Sequence, residues 1–190
     1  MRPARGLQGL AAVTLAAAFL SPIGRTSAGA ATPPPPPSEH EVKAAFLYHF
    51  AHLVDWPETA AATGPLVVGV VGRDPLGSAL DQLKGKAVRG RPIDVKRFAT
   101  PAELDPRLVH LLFVDGDAET IERALGVVGS APVLTVGEAE RFAERGGMIG
   151  FRLTPEGRIG FDINLKRAER AGLRLRSQLL KLARIVGDAR

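Results

Sequence analysis

Placed at about 100° per residue, Glu41 to Trp56 gathers Val42, Ala45, Phe46, His49, Phe50, Leu53 and Trp56 into one stripe. Lys43, Tyr48 and Asp55 fall on the far side. The pattern predicts an amphipathic helix packed on a core and stopped by Pro57. Leu66 to Val71, Val109 to Val114 and Val133 to Val136 are short, nearly unbroken apolar runs. Such runs predict strands covered on both faces, as in a parallel or mixed sheet under helices. Ile93 to Phe98 is a weaker strand. Between them, Asp74 with Pro75 at the first helical position opens a helix leading to Leu83. Asp117 opens another through Leu125, and Glu138 to Arg145 forms a third that ends at Gly146.

The last third reads differently. Met148 to Leu153 and Arg158 to Ile163 flank Thr154-Pro155-Glu156-Gly157. Proline second and glycine fourth suit a type I turn, so these strands form an antiparallel hairpin. Asn164 then caps a short helix broken at Gly172, and Ser177 caps a final helix burying Leu179, Leu180 and Ala183. The fold class expected is α/β: a layered sandwich with a mostly parallel central sheet and a C-terminal antiparallel hairpin.

The first thirty residues stand apart from this pattern. Arg2 and Arg5 precede an apolar run from Leu7 to Leu20, and Ala28-Gly29-Ala30 is a small-residue cleavage signal. Residues 1–30 are therefore expected to be a signal peptide that exports the chain to the periplasm. An uncleaved anchor is the alternative, although the run is short and interrupted for a spanning helix. No later segment is apolar enough to span a bilayer. Residues 31–38 hold five consecutive prolines, Pro33 to Pro37, and read as a Pro-rich linker. A single folded domain is expected over 39–187, large enough to bury a core without staples.

Charge and composition narrow the chemistry. Of 25 basic residues 19 are arginine, and Arg2, Arg5 and Arg25 precede the cleavage signal, leaving 22 basic against 20 acidic side chains. That near balance gives no nucleic-acid signature. Residues 164–190 nevertheless hold eight basic side chains against Glu169 and Asp188, either the wet face of a helix or a surface for an anionic partner. With no cysteine, zinc-finger, thiol-redox and cysteine-nucleophile chemistry are excluded. Gly69, Gly72 and Gly77 do not have dinucleotide-fingerprint spacing, and Asp74 would repel a pyrophosphate. Asp115 and Asp117 follow an apolar strand, where α/β sheets place ligands, yet turn and capping duty explains both. His49 lies in the apolar stripe as an interior histidine, with pH sensing as the alternative. His49 and His52 have no nearby acid to complete a metal site. Ser38, Ser78, Ser130 and Ser177 lie in no nucleophile motif. No catalytic, cofactor or metal residue is assigned.

Two stretches carry a resemblance. One is Glu41-Val-Lys-Ala-Ala-Phe-Leu-Tyr-His-Phe-Ala-His-Leu-Val-Asp-Trp-Pro57. The other is Gly146-Gly-Met-Ile-Gly-Phe151 with Gly160-Phe-Asp-Ile-Asn-Leu165, running on through Ala171-Gly-Leu173 to Leu179-Leu-Lys-Leu-Ala183. Together they resemble the YfiR family (YfiR/HmsC-like) over Glu41 to Val186. The resemblance implies a non-enzymatic periplasmic regulator, without cofactor, that binds and represses the periplasmic sensor region of an inner-membrane diguanylate cyclase. It also implies a homodimer and lower cyclic di-GMP, hence biofilm regulation. His110 stands where many members carry cysteine, so no thiol role transfers there. Candidate partner contacts are Phe151, Arg158, Asp162, Arg174 and Arg176, because aromatic and arginine side chains anchor interfaces. The alternative is that Phe151 packs inward and the arginines are merely solvated. Two other classes stay open: a small-molecule or cell-wall-signal sensor with a pocket near Gly72, Asp74 and Asp115, and a hydrolase using Asp115.

Overall fold

A computed structural model describes residues 35–58 and 64–187. The expected signal peptide, residues 1–30, lies outside the described residues, as do the first two prolines of the tract. The unit beginning at Pro36 is compact and is described by itself. No helix among the described residues is long and apolar enough to cross a membrane.

Helix α1 (Glu39–Leu53) begins at Ser38. The Ser38 hydroxyl accepts from the Glu41 N–H, and the Glu41 carboxylate accepts from the Ser38 N–H at 2.7 Å. This reciprocal capping box satisfies two donors that the first turn would otherwise leave open. The helix buries Lys43, Ala44, Leu47, Phe50 and Ala51. The expected stripe is thus rotated: His49 and Ala45 are exposed, and Lys43 is inside. The reason is that α1 is apolar around most of its circumference. Phe46, Tyr48 and Leu53 also pack partly against the core, so periodicity alone does not select a face. Nor does α1 run to Trp56. At Val54 the chain becomes extended as β1 (Val54–Asp55), which pairs antiparallel with β9 (Arg174–Leu175).

The sheet contains β2 (Leu66–Gly72), β3 (Ala87–Val88), β4 (Arg91–Phe98), β5 (Leu111–Asp115), β6 (Leu134–Gly137), β7 (Ile149–Leu153), β8 (Ile159–Asn164) and β10 (Arg184–Val186). Their order is β10-β8-β7-β6-β5-β2-β4-β3. Strands β4, β2, β5, β6 and β7 are parallel neighbours, and β7 and β8 form the expected antiparallel hairpin. The Gly157 N–H closes its turn on the Thr154 carbonyl at 2.9 Å. Alternate residues feed two cores, as a strand's two-residue period requires. Val68, Val70, Phe113 and Val136 face α1, whereas Val67, Val71, Leu112 and Val114 face α3 (Ala118–Val128). The result is the layered α/β sandwich that the pattern predicts.

Local chemistry explains what holds and what shifts. Asp117 caps α3 by accepting from the Thr120 N–H at 2.8 Å. Asn164 caps α4 (Leu165–Arg170) by accepting from the Arg167 N–H at 3.0 Å. Asp74, however, makes a turn instead of a cap: it accepts from the Gly77 N–H at 2.9 Å, and α2 spans only Gly77–Asp81. Arg176 takes the N-cap place of α5 (Ser177–Leu180), where Ser177 was expected.

Glu138 to Arg145 is a series of turns, not a helix. Phe142, 1% exposed, explains it. A Cβ added at Gly137 would lie 2.6 Å from its ring, and one at Gly147 2.1 Å. The ring is wedged between two bare backbones, a placement that a regular helix leaving β6 would not allow. Gly147→Ala is therefore expected to lower stability by about 1–3 kcal/mol through overpacking, seen as a lower urea midpoint. A midpoint equal to wild type would contradict the wedge.

Candidate functional site

The expected contact residues fall into two groups. On the hairpin, the two-residue period that sends Ile149 inward sends Phe151 inward too. Phe151 is 7% exposed and packs against Phe50 and Phe46 with ring centroids 5.9 and 6.0 Å away. Phe161 meets the same two rings edge-on, at 5.0 and 5.5 Å. Asp162 is also buried and is gripped from two strands. Its Oδ1 accepts from Arg152 Nε at 2.8 Å and Arg184 Nε at 2.9 Å, and its Oδ2 accepts from Arg184 Nη2 at 2.5 Å. Arg158, near the hairpin tip, is exposed.

The second group lies where β1 meets β9. Arg174 is exposed and stands opposite Asp55 in register. Arg176 donates to both Asp55 oxygens at 3.0 and 3.3 Å, and Arg89 donates to Oδ1 at 2.5 Å. The Arg176 guanidinium, assisted by Arg89, holds the Asp55 carboxyl below the usual aspartate range. Beside this pair, Trp56 Nε1 donates to the His110 carbonyl at 3.1 Å, and His110 Nδ1 accepts from the Val67 N–H at 3.1 Å. The imidazole thus ties β5 to β2 where a thiol could not. Asp55, Trp56, Arg89 and Arg91 line a hollow of ≈ 240 Å³.

Near Gly72, Asp74 and Asp115, where a pocket was expected, the backbones approach closely and the carboxylates are paired with arginines. A Cβ at Gly72 would fall 1.9 Å from the Asp115 carbonyl oxygen. Arg73 pairs with the Asp115 carboxylate at 3.1 Å, and Asp74 pairs with Arg97 at 2.6 Å. Asp115 is thus engaged by its neighbour.

A different site opens further along the same end of the sheet. Glu138 follows the last residue of β6, and its turn-rich loop curls over β7 and β8. Lys43 from α1 reaches Glu138 Oε2 at 2.6 Å and Glu39 at 2.5 Å. Burial alone would lower the Lys43 pKa, but hydrogen bonds to Glu138 and Glu39 outweigh it and keep the ammonium above its ordinary value. Glu138, Phe151 and Arg152 line both a hollow of ≈ 140 Å³ and a larger cavity of ≈ 390 Å³, which Arg141, Gly150, Asp162 and Arg184 also line. None of Lys43, Glu138, Arg152 or Arg184 stood out in the sequence. The rule that ligand sites lie beyond the carboxyl ends of parallel strands points to Glu138 when applied to β6 instead of β5.

The family described as YfiR/HmsC-like matches residues 40–184. No curated protein matches the chain. Among solved structures, a conserved domain protein from Vibrio cholerae O1 biovar eltor is similar at 16% identity with a TM-score of 0.53. The match covers 78% of this chain and 60% of that one, and it shows a shared fold.

Asp55 gives the site a defined pH response. A carboxyl with a lowered folded pKa stabilises above its unfolded value and loses that contribution as pH falls through the folded one. Wild type should therefore exceed Asp55→Asn in urea resistance at pH 7. The gap should begin to close near the ordinary aspartate value of 3.8 and vanish in stronger acid. A gap independent of pH would show that the Arg176 pairing adds nothing.

Proposed function

The chain belongs to the YfiR/HmsC-like family, a regulatory family of the periplasm acting in diguanylate cyclase signalling, and from that membership we propose that it represses one cyclase directly. In this reading residues 1–30 direct export and are removed, residues 31–38 tether, and residues 39–187 bind the periplasmic sensor region of an inner-membrane diguanylate cyclase. Binding shifts the cyclase toward its inactive population, and cyclic di-GMP falls in the cytoplasm.

The observation that carries this reading is the extent of the family match, which takes in every layer of the sandwich. The family is regulatory and not catalytic, and the surface suits contact. Arg158 and Arg174 present exposed guanidinium groups, and Arg176 is exposed apart from its Asp55 pair. Such groups favour a partner with carboxylates, and arginine is the charged residue most often found at interface hot spots. Phe151 and Asp162 contribute from beneath, by holding the hairpin in shape.

Co-expression with the candidate partner, an inner-membrane diguanylate cyclase with a periplasmic sensor region, should lower cellular cyclic di-GMP, and Arg158→Glu with Arg174→Glu should restore it while leaving thermal unfolding unchanged. Unaltered cyclic di-GMP and no co-purification would sink the proposal. The mature periplasmic protein should have the mass of a chain starting at Ala31. A full-length, membrane-held form would establish an anchor instead.

A further inference from the structure

We propose that the cavity beyond the carboxyl end of β6 binds a small zwitterion, with Glu138 taking its ammonium group and Arg152 and Arg184 its carboxylate. This goes beyond repression of a cyclase, because it requires no partner protein.

Four observations converge there. The first is place and size. The site lies past the carboxyl end of a parallel strand, the usual position for ligands in α/β sheets. Its ≈ 390 Å³ falls within the range of small-molecule pockets.

The second is an unmet acceptor. Glu138 Oε2 is bonded to Lys43, but Oε1 is buried with no hydrogen-bond partner among the described residues. An unsatisfied buried polar atom is destabilising, the more so when charged. The Glu138 side chain is 24% exposed overall and lines the cavity, so its carboxylate stands at the cavity wall. An N–H donor arriving there removes the cost.

The third is a set of donors left open to solvent on the same cavity, the Arg152 and Arg184 side chains being 33% and 59% exposed. Arg152 gives Asp162 only its Nε, and Arg184 gives Nε and Nη2. Both Arg152 terminal nitrogens and Arg184 Nη1 have no partner among the described residues. Asp162 fixes both guanidinium groups in place, which preorganises them for a carboxylate. Of the nearby charges, Arg141 is matched to Glu144, while Lys43 is shared between Glu39 and Glu138 Oε2 and leaves Oε1 as the open acceptor.

The fourth is strain. Arg141, on the loop that lines the cavity, has φ +56°. A non-glycine residue rarely adopts this conformation, and such outliers cluster at ligand clamps.

The same lining rejects simpler ligands. No group of three metal-ligating side chains occurs among the described residues, so a lone carboxylate oxygen suits an ammonium better than a metal ion. Its four carboxylates, Glu138, Glu140, Glu144 and Asp162, outnumber its three guanidinium groups, Arg141, Arg152 and Arg184, which disfavours a phosphate, whereas a ligand carrying one carboxylate and its own ammonium enters without net charge.

Isothermal titration of the purified protein with alanylalanine, its N-acetyl form and its C-terminal amide tests the proposal. Saturable one-to-one binding of the unblocked dipeptide is expected, weakened about tenfold or more by either block, since a site built to hydrogen-bond a group rejects analogues lacking it. Glu138→Gln should weaken binding to a similar degree. Arg184→Gln, which removes one carboxylate donor at a side chain 59% exposed, should weaken it too, and it keeps the test decisive if Glu138→Gln does not fold. Absence of saturable heat, equal binding of all three compounds, or undiminished affinity in both folded variants would overturn the assignment.

Discussion

The contact of α1 with the sheet is the constraint from which the rest of the domain follows. Phe46 and Phe50 on the helix meet Phe151 and Phe161 on the hairpin, at centroid distances between 5.0 and 6.0 Å. Aromatic pairs at such distances add about 0.5–1.5 kcal/mol beyond their buried area. This packing fixes the rotation of α1. Once the phenylalanines are seated, Lys43 has to enter the interior and His49 has to leave it. Lys43 is tolerated inside because two carboxylates meet it, as a buried charge requires.

The domain has no cysteine, so polar bridges take over the tying of distant segments. His110 joins β5 to β2 through its ring and receives Trp56 on its carbonyl. Asp162 joins β7, β8 and β10 through two arginines. Asn164 caps α4 and reaches back to the Ala143 carbonyl at 2.9 Å. Each bridge combines local duty with a long-range tie, so the polar residues of the motif Gly160-Phe-Asp-Ile-Asn-Leu165 hold the C-terminal third together.

Features with local causes were legible in the sequence. The central strands, the hairpin turn at Thr154–Gly157 and the Asp117 cap all depend on a few adjacent residues. Features decided at long range were not. The face of α1 depends on the phenylalanines of the hairpin. The loop after β6 has helix-forming composition, but Phe142 and Ala143 are adjacent and make no stripe, and the wedge between Gly137 and Gly147 decides its path. Strand β10 is short and mostly exposed, so it leaves no alternating signal. Arg158 and Arg174 were placed at the surface by sequence alone. Glu138 and Lys43 were missed because each looks like an ordinary solvated charge until the chain folds.

The unbroken passage from α1 into β1 has a mechanical consequence. Fifteen helical residues make a stiff rod of about 22 Å. Lys43 sits near one end of it, and Asp55 lies just past the other. With no intervening loop to absorb displacement, a tilt admitted at the lysine end must be answered at the β1–β9 seam. The helix therefore makes the Lys43 ion pairs and the β1–β9 seam two ends of one rigid element.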